Sequence, residues 1–380
     1  VSDFTYLGAF KAPTNWENAS DTFEYSLAGI AYNPAGNGGA GSLIAAGHSS
    51  YSKVAEITIP ALSTNPNPVL LNESIYLGTH YLNPASVTGP TGQMISTICR
   101  NPEDGLFYYI LETDYETDVY GIGRFDVSRA TPAGRWQLQA INPYNSLRNI
   151  FYVPPAWQAA NAPGYSMGTL RYRQSFSRGP NCHLFKPPVS LPPDSVIPST
   201  DVKTVALWDA EGGSTQYADH NSRTNYFGAH WIVSPSGKTA FVVCGIRHYN
   251  KPAHRFPDGY YGYENAVLPD ECEPFGTCVG QRGHRCADGR FAFWLWDPAE
   301  YAQVIAGTKQ PFQVSHYAFS DVVNTKMYNK PPENYLMSGY DAERSKIAYD
   351  PAGGRLFASE CYVNCGASSP SPVIHVWGVA

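Results

Sequence analysis

The chain has 380 residues, a formal net charge of −6, and only 15% charged against 43% hydrophobic residues. No Lys/Arg-rich run and no stretch of about 18 apolar residues occurs, which excludes a nucleic-acid footprint and a helical membrane span. Gly (34), Pro (31) and Tyr (27) are abundant, the composition of a turn-rich β protein, and a closed all-β architecture accommodates 1–380 as a single domain.

Taken in chain order, strand-like apolar runs bounded by Gly, Pro, Asn and Asp dominate. A first run, "FTYLGAF" (4–10), precedes a module of three strands, "YSLAGIAYNP", "GSLIAAGH" and "KVAEITIP", with "SIYLGTH" (74–80) as a fourth. The pattern repeats as "MISTICRNP", "GLFYYILETDY", "YGIGRFDVS" and "RWQLQAI". A poorer copy follows: "NIFYVPP", "YSMGTLRYRQ", "NCHLFKPP" and "KTVALWDA". The next is "AHWIVSPSG", "KTAFVVCGIRHYN", "RFAFWLWDP" and "FQVSHYAF", and the last is "SKIAYDPAGG", "RLFASECY" and "SPVIHVWGV". Short helices are expected over Pro298–Ala306 and Ala156–Ala160.

Repeats of three or four antiparallel strands predict a β-propeller. Five modules are counted, while a merged blade within 141–225 would make six or seven, and a β-sandwich is the alternative architecture. The last module lacks a fourth strand. "FTYLGAF" shares Tyr-Leu-Gly with "SIYLGTH" and is expected to complete the C-terminal blade, removing an unpaired edge.

In such a blade the end of the second strand and the start of the first reach the same face. Five second strands then deliver polar residues to one channel mouth: His48; Glu112, Asp114 and Tyr115; Arg171, Tyr172 and Arg173; Arg247, His248 and Tyr249; Glu360 and Tyr362. Loops leading into the first strands add Tyr25, His220, Asn225 and His230. Loops on a rigid scaffold are where binding and catalysis concentrate. A glycosidase needs two carboxylates, for which Glu112, Asp114 and Glu360 are candidates. A lyase must neutralise a uronate carboxylate, abstract the neighbouring proton and protonate the leaving oxygen. Arginine suits the first task, histidine and tyrosine the others. The lyase assignment takes His48, His248, Arg247, Tyr249 and Arg173 as catalytic. It takes Arg171, Tyr172, Glu112, Tyr115, His230 and Glu360 as substrate-binding. A non-enzymatic binding or surface-assembly propeller is the third reading.

In architecture and residue types, this Arg/His/Tyr mouth resembles the propeller-type polysaccharide lyases, the ulvan lyases, which cut next to a uronic acid. The resemblance implies β-elimination on an acidic polysaccharide and transfers no catalytic residue by motif.

A Cys-rich insertion spans about 250–290 inside the fourth module. Cys272, Cys278, His284 and Cys286 are spaced C-x5-C-x5-H-x-C, matching either a structural zinc site or disulfides. Cys361 and Cys365 are placed for a local bridge beside Glu360. The start at Val1, the eight cysteines and the sequons at Asn18 and Asn72 predict a secreted protein, extracellular, periplasmic or at the cell surface, of unspecified oligomeric state.

Overall fold

Among the described residues, twenty-one strands fall into five separate sheets, one for each module of the sequence. The computed structural model describes residues 3–14, 22–24, 26, 29–48, 53–80, 94–112, 121–127, 132–139, 141, 148–171, 177–210, 213–218, 224–249, 288–328, 346–365 and 371–380. Strand β1 (Phe4–Lys11) opens the chain but belongs to the last sheet. Blade 1 comprises β2 (Ile30–Asn33), β3 (Ser42–Ala46), β4 (Val54–Thr58) and β5 (Tyr76–His80). Blade 2 comprises β6 (Met94–Arg100), β7 (Phe107–Glu112), β8 (Ile122–Phe125) and β9 (Pro132–Leu138). Blade 3 is built from β10 (Asn149–Tyr152), β11 (Met167–Arg171), β12 (Asn181–Phe185) and β14 (Val202–Ala206). The short β13 (Ser195–Ile197) leaves blade 3 to pair in parallel with β9, covering the outer edge of blade 2. Blade 4 comprises β15 (Asn225–Val233), β16 (Thr239–Tyr249), β17 (Asp288–Trp296) and β18 (His316–Ser320). Blade 5 comprises β19 (Ile347–Asp350), β20 (Arg355–Val363), β21 (Ser371–Val379) and then β1.

Closure is visible twice. The innermost strands touch in a ring, β2 to β6 to β10 to β15 to β19 and back to β2. Five clusters of the hydrophobic core among the described residues also form seams, one between each pair of neighbouring blades. Alternation along each strand explains the seams, because successive side chains point to opposite faces. In β7, Phe107, Tyr109 and Leu111 pack against Ile44 and Val54 of blade 1. Tyr108 and Ile110 of the same strand pack against Ile150, Met167 and Phe185 of blade 3. A strand covered on both faces must be apolar at nearly every position, which is how these strands read.

The Asn/Asp-Pro turns that mark the repeat work through their side chains. Asn33 Oδ1 accepts from Ala35 N, Asn101 Oδ1 from Glu103 N, and Asp350 Oδ1 from Gly353 N, each ending a first strand in a tight turn. The two predicted helices are present, α1 (Pro155–Asn161) and α2 (Pro298–Ile305). None of the described helices is long and apolar enough to cross a membrane.

One regularity recurs in all five blades. Between third and fourth strand the register slips by one residue, leaving an extra residue on the outer strand: Leu77, Val205, Tyr317 and Leu7 in blades 1, 3, 4 and 5, and one within Pro132–Arg135 in blade 2. A bulge twists an exposed edge away from pairing with other chains.

Candidate functional site

The register places the start of the first strand beside the end of the second in blades 1 to 3, where Ile30 faces Ala45, Met94 faces Glu112 and Asn149 faces Leu170; in blades 4 and 5, where Asn225 faces Ile246 and Ile347 faces Ala358, the second strand runs on past that point toward the same side. All ten strand ends therefore share one face, here called the upper face.

On that face three neighbouring blades converge on Phe227, near the start of β15. Lys346, the residue before β19, is 2% exposed and donates from Nζ to the Phe227 carbonyl at 2.7 Å. Its backbone is clasped by Ser359: Lys346 N donates to Ser359 Oγ at 2.9 Å, and Ser359 N donates to Lys346 O at 2.9 Å. From the other side, Arg148, the residue before β10, stacks its guanidinium over the Phe227 ring, 5.4 Å from the centroid. Arg148 is 8% exposed, and its carbonyl accepts from Ser96 Oγ at 3.1 Å. Two cations thus reach one residue from blades 3 and 5. Burying charge is costly unless it is hydrogen-bonded or paired, and the Phe227 carbonyl offsets part of that cost for the Lys346 ammonium. Another basic residue adjoins Arg148 in the register: Arg148 and Arg171 flank the paired residues Asn149 and Leu170.

The predicted site residues divide as follows. His48 lies on the upper face just after β3. Its backbone N donates to Thr22 O at 2.7 Å, and it bridges to Ser26. Burial holds its imidazole below the usual histidine range, with the Glu24 charge opposing. Neutral imidazole is the form able to accept a proton. Arg171 ends β11 on this face, inside the packing at 2% exposure. Arg247 leans outward, its guanidinium carbon 4.5 Å from the ring centroid of Phe319 on the outermost strand of blade 4. His230 sits within β15, with Nδ1 2.8 Å from the Trp231 carbonyl oxygen and its ring edge-on to Tyr349. Burial pushes its pKa down to about 4. For Glu112, His248 and Tyr249 the structure describes the backbone alone, at the upper ends of β7 and β16. Tyr115, Tyr172 and Arg173 lie outside the described residues, as do Cys272, Cys278, His284 and Cys286.

Glu360 sits differently from a mouth residue. Strand β20 continues to Val363, so Glu360 falls inside the blade at 5% exposure. Its Oε2 lies 2.8 Å from His375 Nε2 and accepts from Tyr328 N at 3.0 Å. His375 Nδ1 is 3.1 Å from the Tyr6 hydroxyl, and the Tyr328 ring stacks on the imidazole. No disulfide joins Cys361 to Cys365, both of which are buried.

Arg148 and Lys346 escaped the sequence reading. Each occupies the one position before a first strand, within or next to the runs "NIFYVPP" and "SKIAYDPAGG". A basic residue immediately preceding an inner strand was the available signal.

No family model and no curated protein matches the sequence. Among solved structures, endo-1,5-alpha-L-arabinanase from Thermotoga petrophila RKU-1 aligns at 12% identity and TM-score 0.41, over 94% of this chain and 74% of that one. A GH43_12 protein retrieved from a capybara gut metagenome aligns at 9% identity and TM-score 0.41, over 98% of this chain but only 53% of its own, so the chain spans about half of that protein. Hydrazine synthase from Kuenenia stuttgartiensis aligns at 10% identity and TM-score 0.35, over 87% of this chain and 80% of that one. At such scores none of the three bears on the chemistry of this chain.

Proposed function

We propose that the protein is an extracellular carbohydrate-active enzyme, a polysaccharide lyase that cleaves a uronate-containing polysaccharide by β-elimination. The observation supporting this reading is the meeting of Arg148 and Lys346 at Phe227 on the upper face. A uronate carboxylate bound between these cations is neutralised, which acidifies the proton on the adjacent C5. A base removes that proton, the C5–H electron pair becomes the C4=C5 double bond, and the C4–O bond breaks. The departing oxygen takes up a proton from a general acid. His48, held toward its neutral form on the same face, suits the base. The hydrolase alternative is weakened at one of its carboxylates, because Glu360 is engaged by His375 and Tyr328 within the blade.

The test is to incubate the protein with a panel of acidic polysaccharides and follow the ultraviolet absorbance of unsaturated uronate. Lys346→Met and Arg148→Met should each lower kcat/KM by about tenfold or more. New reducing ends without absorbance would establish hydrolysis instead, and no change on any polysaccharide would remove the enzymatic reading.

A further inference from the structure

Two irregularities of the inner strands lie directly beside the cation pair at Phe227. In blades 1, 3 and 5 the first and second strands stay in register throughout their pairing. In blade 2 the register slips between Ile95 and Thr97, and in blade 4 between Tyr226 and Gly228. Each slip leaves one extra residue on the inner strand, Ser96 in β6 and Phe227 in β15, exposed by only 1% and 0%. A bulge takes its extra residue out of the ladder and re-aims it.

Both extra residues reach the residue that precedes the next inner strand of the ring. Ser96 Oγ donates to the Arg148 carbonyl at 3.1 Å, with Ile110 O, on the second strand of its own blade, at 3.5 Å. The Phe227 carbonyl accepts from Lys346 Nζ at 2.7 Å, and the Phe227 ring lies under the Arg148 guanidinium. Gly228, beside the second bulge, permits this approach: a Cβ there would stand 3.1 Å from Lys346 Cα and 3.0 Å from Ile347 N. Ser96 thus holds the backbone from which Arg148 extends, and Phe227 holds the ends of both cationic side chains.

We propose that the two bulge residues, Ser96 and Phe227, are positioning residues that fix Arg148 and Lys346 against each other on the upper face. What the cations do to a substrate rests on the lyase reading; how they are held does not. A charged group stabilises a transition state in proportion to how well it is fixed beforehand, so a buried hydroxyl that touches no substrate still contributes through Arg148.

The test reads Arg148 itself. In protein labelled with 15N-arginine, the Arg148 Nε–H signal, identified by its loss in Arg148→Lys, carries the ring-current shift of Phe227. Phe227→Leu removes the ring and should move this signal toward the position of a free arginine. Ser96→Ala should move it the same way, and Ser96→Thr, which keeps the hydroxyl, should leave it near the parent position. Arg124, whose guanidinium carbon lies 4.8 Å from the Trp136 ring centroid in blade 2, is the internal control and should not move in any of the three. Phe227→Leu keeps the backbone carbonyl, so Lys346 should stay as protected from reductive methylation as in the parent. On a polysaccharide that the parent cleaves, Ser96→Ala should lower kcat/KM by about threefold to tenfold, and Ser96→Thr should restore it. An Arg148 signal unmoved in Ser96→Ala, a shift shared by Arg124, or Lys346 labelled freely in Phe227→Leu overturns the positioning, and parent-like kcat/KM in Ser96→Ala overturns its bearing on catalysis. A parent that cleaves no polysaccharide removes the lyase reading alone, and the Arg148 signal still decides how the cations are held.

Discussion

His375 is completely buried in blade 5, with Nε2 2.8 Å from Glu360 Oε2. The pair belongs to a chain of contacts running from Tyr328 N through Glu360 and His375 to the Tyr6 hydroxyl. It therefore ties the first strand of the polypeptide, the last strand and the 321–328 segment to β20. Removing the carboxylate strands a buried imidazole and a backbone N–H together. Glu360→Ala should cost about 3 kcal/mol, and Glu360→Gln, which still accepts from Tyr328 N, about 1–2 kcal/mol. Urea unfolding of the two variants checks this. Equal and negligible losses would mean that Glu360 does not hold the blade.

Ring closure rests on β1, which is hydrogen-bonded in two directions. It pairs with β21 from Phe4 opposite Val379 to Lys11 opposite Val373. On its other edge, Ala9 and Ser63 exchange backbone hydrogen bonds of 2.8 and 3.0 Å, and Lys11 N donates to Asn72 O at 3.0 Å. One strand thus completes blade 5 and stitches it to blade 1. Deleting residues 1–11 should expose the edge of β21, broaden the unfolding transition and promote self-association. Circular dichroism melts combined with size-exclusion chromatography would show it. An unchanged, sharp transition would place closure elsewhere.

Most of this architecture was legible because each blade strand alternates between two apolar seams, so its residues announce a buried strand whichever face is considered. Closure by "FTYLGAF" could be read from Tyr-Leu-Gly, repeated at 6–8 and 76–78. Strand β13 was not legible. Its three residues follow Pro192 and Pro193 and pair with a different blade, a tertiary choice that no local pattern encodes. The site was legible only as a face. Alternation says which seam a residue enters, but not how far the strand runs beyond it. Glu360 and Arg171 looked like strand-end residues, yet both lie within the packing, because β20 and β11 extend past or up to them. The basic residues before β10 and β19 were visible in the sequence, but their convergence on Phe227 depends on the ring bringing β10, β15 and β19 together.

The Tyr-Leu-Gly bulges separate two effects of one substitution. Gly8 and Gly78 both hold positive φ, +133° and +145°. A Cβ on Gly8 would lie 2.9 Å from Ser63 O and 3.1 Å from Leu62 Cβ, whereas a Cβ on Gly78 meets nothing within 4 Å. Gly78→Ala should cost only the conformational strain, about 1 kcal/mol. Gly8→Ala adds a clash with the backbone that joins blade 5 to blade 1, and should cost about 2–3 kcal/mol. Chemical denaturation of both variants gives the difference, and equal losses would show that the Ser63 contact yields freely.

His230 provides a pH-dependent term of definite sign. In the folded protein its pKa is pushed down to about 4 by burial, against which the Trp231 carbonyl contact acts. In the unfolded chain it titrates near about 6.5. Above that value both states hold a neutral ring, and the stability contributed by packing His230 against Tyr349 is fully present. As the pH falls below about 6.5, the unfolded chain takes up a proton that the folded protein refuses, so stability declines. The decline ends near pH 4, where the folded protein binds the proton as well. The ring is partly solvent-exposed, which reduces the penalty, and the loss across this window should be about 1–3 kcal/mol. His230→Gln removes the titrating group. The stability difference between the parent and this variant should therefore hold above about pH 6.5 and shrink from there to about pH 4.5 in urea unfolding series. Parallel curves across that range would mean that His230 protonates as easily in the folded blade as in the unfolded chain.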